Sequence, residues 1–299
     1  MLVTVYEKNY LILFLIIFIF NTAYADRDIT NLEWKPSLYK GKKGKSYEIV
    51  KLESGEPVIG KKAFKFVAIP FDCGSSSSNN WYTDCGHIYQ STYSEKFKIG
   101  GGDRMRSEIN TPSFKTSGEF WVSFSIFVPE NYITISPTSV SMFQIWERNA
   151  GTNLMIEDIN GYLTAKQLVL NRRTDKYPKG QQPWPVLIKI DDMRGKWTHF
   201  KIHTNQSNKI DKGFYKYYIN DKLIAEYKGV TSDKKKEGMF LKAGIYQTGI
   251  SFSMKKWGMS EKWEPRQEAG NFPTQIIYMD NIFYAKKEKR LLKLINKAK

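Results

Sequence analysis

The 299-residue chain carries 46 Lys/Arg against 30 Asp/Glu, a formal net charge of +16, with 15% aromatic residues and two cysteines. It is long enough for one large domain with a substantial core, and its charge predicts an anionic partner: nucleic acid, an anionic membrane face or an acidic polysaccharide. Two cysteines do not make a zinc site, and no CxxC, HExxH, helix-turn-helix, zinc-finger or RNP-like pattern occurs, so nucleic acid and a zinc site are not expected.

The first elements in chain order belong to export. Glu7 and Lys8 precede an unbroken apolar run from Leu11 to Phe20, and Ala23-Tyr24-Ala25 supplies an A-x-A site before Asp26. Residues 1–25 therefore predict a cleavable signal, and the apolar run is short for a membrane span of about 20 residues. A retained N-terminal anchor is the alternative. Export predicts a secreted or periplasmic protein, with residues 26–285 as one domain and 286–299 as a basic tail. Cys73 and Cys85 lie twelve positions apart around the Ser/Asn-rich stretch Ser75 to Asn80. In an oxidising compartment they are expected to close that loop as one disulfide.

The rest of the domain reads as strands. Glu119–Val128, Trp197–His203, Phe214–Ile219 and Gln275–Tyr284 are aromatic, β-branched and alternating. Asn220-Asp221 predicts a tight hairpin turn with Lys222–Tyr227 returning. Tyr177–Pro185 and Thr231–Glu237 read as loops. Many short strands, polar turns and no long internal amphipathic helix predict an all-β antiparallel sandwich. The tail places Leu291, Leu292, Leu294 and Ile295 among lysines, predicting a short basic helix packed on the domain. Contact with an anionic membrane is the less favoured reading.

Four stretches put polar, charged or aromatic groups on one strand face by period-2 alternation. Arg104, Arg106 and Glu108 form the first set. Gln144 and Trp146 form the second, with Phe143 and Ile145 turned to the core. Asn171 and Arg173 are cofacial within a predicted strand Gln167–Arg173, and Lys242, Gly244 and Tyr246 complete the series. Side by side, such strands would floor a groove for an anionic sugar chain: cations for carboxylates, aromatics for stacking, a glycine leaving room.

Gly102-Asp-Arg-Met-Arg-Ser-Glu-Ile109, Phe143-Gln-Ile145 and Leu241-Lys-Ala-Gly-Ile-Tyr246, in that order, resemble the signature strands of the jelly-roll polysaccharide lyases, a group that takes in alginate lyases, glucuronan lyases and heparin lyase I. Gly195–Ile202 and Tyr278–Ile282 resemble structural strands of the same family. The resemblance implies a concanavalin-like β-jelly roll with a concave substrate face and cleavage of a 4-linked uronate polymer by β-elimination. It gives Arg106 and Gln144 the task of holding the substrate carboxylate, and Tyr246 the family's proton-transfer position. Arg104, Glu108, Trp146, Asn171, Arg173 and Lys242 are then expected substrate contacts. No cofactor is implied, and a structural calcium ion stays open. The expected partner is the anionic polysaccharide, bound by a monomer.

One departure matters. Alginate-lyase relatives commonly have Gln-Ile-His where this chain has Gln144-Ile145-Trp146. Of the three histidines, His87 fits the chain order of a catalytic histidine in the glucuronan-lyase-like branch. A loop residue beside Cys85 is the equal alternative. His199 and His203 share a face of a strand that reads as structural, and are expected at the surface. Glu157-Asp158 would point to opposite strand faces, against the paired carboxylates of a glycoside hydrolase. A non-catalytic binding protein for acidic polysaccharide remains the rival reading.

Overall fold

The structure is a computed structural model that describes residues 35–36, 47–69, 104–114, 118–136, 138–148, 150–169, 184–233, 238–248 and 273–298. Among these, the strands in chain order are β1 (Lys35–Pro36), β2 (Tyr47–Lys51), β3 (Lys62–Ala68), β4 (Arg104–Asn110), β5 (Gly118–Phe127), β6 (Val140–Glu147), β7 (Gly151–Ile159), β8 (Tyr162–Gln167), β9 (Val186–Lys189), β10 (Trp197–Gln206), β11 (Phe214–Ile219), β12 (Lys222–Lys228), β13 (Met239–Thr248) and β14 (Gln275–Ala285), followed by helix α1 (Glu288–Ala298). They form two seven-stranded sheets, ordered β1-β4-β13-β6-β7-β8-β9 and β12-β11-β10-β5-β14-β3-β2, with antiparallel strand pairing throughout. The expected all-β jelly-roll sandwich is what forms.

Alternation drives the arrangement. Along β11, buried Tyr215, Tyr217 and Ile219 alternate with half-buried Phe214, Lys216 and Tyr218, so one face is core and the other is not. Phe124 of the second sheet stacks on Phe143 of the first at 4.1 Å and on its neighbour Phe200 at 5.1 Å. Stacked rings of this size contribute large apolar area and hold the sheets face to face. A polar tie joins them too: the Val67 N–H of β3 donates to the Ser107 Oγ of β4 at 3.1 Å.

Turn chemistry sets the hairpins. Asn220 and Asp221 sit at φ 47° and 67°, and Asn160 and Gly161 at 54° and 86°, the paired left-handed values of a two-residue turn that matches strand twist. The Asn160-Gly161 hairpin joins β7 to β8, and β8 corrects the sequence reading. It ends at Gln167, where a strand was expected to begin, because the alternating core residues are Leu163 and Ala165. The predicted leader 1–25, Cys73, Cys85, His87, Asn171 and Arg173 lie outside the described residues.

The tail is a helix lying on the second sheet. Leu291 and Leu294 are buried against Trp121, Phe283 and Ala285, and Lys201 Nζ reaches Glu288 Oε1 and Asp221 Oδ1, each at 2.9 Å.

Candidate active site

The outer face of the first sheet collects the expected residues. Met105 and Ile109 of β4, Leu241, Ala243 and Ile245 of β13, and Phe143 and Ile145 of β6 are all core. Residues alternating with them are directed away from the core. Strand register then aligns two rows across five strands. One runs Arg106, Tyr246, Ser141, Glu157, Thr164; the other runs Asn110, Lys242, Gln144, Met155, Lys166.

Glu108 organises the first part of this face. Its carboxylate is 1% exposed, accepts a 2.6 Å hydrogen bond from Gln144 Nε2, and lies 3.7 Å from Arg106 Nη1 and 3.8 Å from Lys242 Nζ. Gln144 in turn accepts from the Trp146 indole N–H at 3.0 Å. These two bonds fix which end of the amide is which, since only the NH₂ can face a carboxylate and only the oxygen can face an indole N–H. The Arg106 guanidinium lies 4.9 Å from the Tyr246 ring centroid and Arg104 5.9 Å from it. Lys242 lies 4.8 Å from the Trp146 ring. Arg106 and Lys242 are each 8% exposed, so their fields are less screened by water than those of surface cations.

The structure thus brings together Arg104, Arg106, Glu108, Gln144, Trp146, Lys242 and Tyr246. Glu108 is a buried counter-charge to two cations, where the sequence reading had it as a substrate contact. Gly244 is a second correction. Its φ is +126°, and an added Cβ would stand 2.2 Å from the Ser107 carbonyl oxygen and 2.8 Å from Phe66 Cδ1. The glycine serves backbone approach beside a β-bulge between Ala243 and Tyr246, not open space on the outer face. Trp146 holds the Gln144 amide through its indole N–H.

The carboxylates of β7 diverge as expected. Glu157 faces Lys166 at 3.6 Å, whereas Asp158 accepts from Tyr132 at 3.1 Å, Thr134 at 2.9 Å and the Gly161 N–H at 2.8 Å. Burial pushes the Glu157 carboxyl above its ordinary pKa, with Lys166 opposing. His199 and His203 belong to the other sheet: His199 Nδ1 lies 2.7 Å from Ser125 Oγ, and His203 stacks on Trp121 at 3.9 Å.

Sequence reasoning missed Lys166 and Trp184, which meet at 5.1 Å as ammonium over indole. The signal for Lys166 was the Asn160-Gly161 turn, after which alternation sets it on the outer face. Trp184 falls inside the stretch read as a Pro-rich loop.

Among solved structures, the chain is similar to an endo-β-1,4-glucuronan lyase from the fungus Trichoderma reesei, at 13% identity and TM-score 0.49 over 88% of this chain and 94% of that one. It is also similar to AlgAT5, an alginate lyase from polysaccharide lyase family 7, at 16% identity and TM-score 0.45 over 87% and 97%. At that distance the likenesses carry no weight for the site. No protein of curated function matches the chain. A family model described as polysaccharide lyase matches residues 60–283, a span that takes in every strand of the outer face from β4 to β13. The chain belongs to the polysaccharide lyase family and is a polysaccharide lyase enzyme.

Proposed function

We propose that the enzyme is exported and cleaves a 4-linked uronate polysaccharide by β-elimination, with Tyr246 transferring the protons. The observation that carries this is the Arg106–Tyr246–Gln144–Lys242 cluster on one sheet face. Arg106, Lys242 and Glu108 together carry a formal excess of one positive charge, which suits one incoming carboxylate. One Gln144 amide proton is committed to Glu108; the other is directed to the substrate carboxylate. Cations and amide donors there stabilise the enolate-like charge that forms when C5 loses its proton, by about 10²–10³ in rate per donor.

The electrons then balance simply. The C5–H pair becomes the C4=C5 double bond, the C4–O4 bond breaks, and the departing oxygen takes a proton. Arg106 lies against the Tyr246 ring, so the phenol stands beside the cation that holds the substrate carboxylate, and it is the proposed base. The same residue then returns its proton to O4. One residue doing both jobs suits glucuronate or mannuronate, whose C5 proton and O4 share a side. Iduronate or guluronate would call for a separate base, and His87 is the candidate.

The test is incubation with glucuronan, heparosan and alginate while following the ultraviolet absorbance of the C4–C5 unsaturated product. Tyr246→Phe should bind polymer but lose turnover. If it keeps more than about a tenth of wild-type kcat, the loss is below ~1.4 kcal/mol and the assignment is wrong. Loss of glucuronate cleavage in His87→Ala would show that Tyr246 does not act alone.

A further inference from the structure

Among the described residues, the pairing of a lysine with an indole occurs twice on this sheet face. Lys242 lies over Trp146 at 4.8 Å, and Lys166 lies over Trp184 at 5.1 Å. Both lysines belong to the same cross-strand row, with Gln144 and Met155 between them. We propose that Lys166 and Trp184 form a second sugar subsite, which holds a uronate two residues along the same bound chain from the one at Gln144. The inference rests on the reading given under Proposed function and names where the polymer continues.

Spacing supports it. Gln144 and Lys166 are two strands apart, on the order of 10 Å, about the length of a disaccharide. In a β-1,4-linked chain alternate sugars present the same side, so a carboxylate held at Gln144 and the one two residues on face the sheet together. The subsite is also built from below. Lys166 is 26% exposed and is held by an ion pair at 3.6 Å with the Glu157 carboxyl, which is 3% exposed. Trp184 is 37% exposed, so part of its indole can meet a sugar ring. A cation for the carboxylate and an aromatic face for the sugar ring are the two contacts an acidic pyranose offers.

The experiment measures binding by the full chain carrying Tyr246→Phe, so that nothing is cleaved. Its probes are disaccharides and hexasaccharides of glucuronan, heparosan and polymannuronate. Lys166→Ala and Trp184→Ala are each expected to weaken hexasaccharide binding about tenfold, from the loss of one charge or stacking contact, and to leave disaccharide binding unchanged. Trp184→Phe should restore most of the loss, because a ring remains. Equal weakening of both lengths would mean a general structural effect, and unchanged hexasaccharide affinity would mean no contact; either overturns the subsite. If the otherwise wild-type enzyme cleaves none of the three polymers, the reading under Proposed function falls and takes the subsite with it. If it cleaves one while the variants bind as tightly as their background, the subsite alone falls.

Discussion

Glu108 and Gln144 meet through a 2.6 Å hydrogen bond from amide to carboxylate, and that contact makes a buried acid part of a face meant for acids. The carboxylate's other oxygen lies between Arg106 and Lys242 at 3.7 and 3.8 Å. Without it, two cations and an amide donor would stand on neighbouring strands with no common anchor.

Glu108→Gln should therefore damage catalysis although the residue is 1% exposed. Breaking a buried ionic cluster by removing one member typically costs about 3–5 kcal/mol. Folding stability is expected to drop by an amount of that order, with kcat lowered at least tenfold. Denaturant unfolding and steady-state rates on the cleaved polymer check both. Unchanged kcat would remove the positioning role.

Gly244→Ala should destabilise by about 3 kcal/mol or more, the scale of forcing a side chain onto backbone at positive φ. The Ser107 carbonyl 2.2 Å from the added carbon is main chain and cannot swing away. A thermal melt reads it, and wild-type stability would show that the bulge re-forms.

Asp280 gives stability a pH slope. Burial pushes its carboxyl up to about 7, against the opposing Asn281 N–H and Lys62, whereas the unfolded chain releases the proton near about 4. Between those values the folded state holds a proton that the unfolded state has lost. Stability therefore falls as pH rises from about 4 to about 7, then levels. Asp280→Asn has no proton to lose and keeps an acceptor for Asn281. It should flatten that slope and exceed wild type above neutral pH by at most about 4 kcal/mol. Unfolding midpoints at about pH 5 and about pH 8 decide; a slope that survives the substitution has another source.

Leu291→Ala tests the helix. The residue is wholly buried over Trp121 and Phe283, and emptying such a site costs about 2–5 kcal/mol. Stability should fall while KM and kcat hold, since the helix lies on the sheet opposite the site. A matching loss of activity would tie the tail to catalysis.

Raised salt should worsen KM on polymer, because exposed charges are screened beyond about 8–10 Å at physiological ionic strength and the chain's net charge is +16. A salt-independent KM would argue for recognition without long-range attraction.

Strands such as β5, β10, β11 and β14 were legible because their alternation is continuous and their residues are aromatic or β-branched. β7 and β8 were harder. Gly151, Asn153, Ala165 and Lys166 have weak strand preference, and membership is decided by pairing, β7 with β6 and β8 with β7. Within the site, Arg106, Gln144 and Tyr246 were visible as motifs. The burial of Glu108 was not, since alternation assigns a face but says nothing of what neighbouring strands bring to it. Gly244 was misread for the same reason: its demand comes from Ser107, more than a hundred positions away.

That distance has a consequence for how the enzyme comes into being. The strand carrying Arg106 and the strand carrying Gln144 are not paired with each other; β13, with Tyr246, lies between them. A chain growing from its N-terminus holds the first two long before the third exists, with a gap where the middle of the face belongs. Such long-range closures are slow steps in β-sandwich folding, commonly milliseconds to seconds. Activity therefore arrives all at once, when the late strand threads between two early ones, and a half-made enzyme cannot cut.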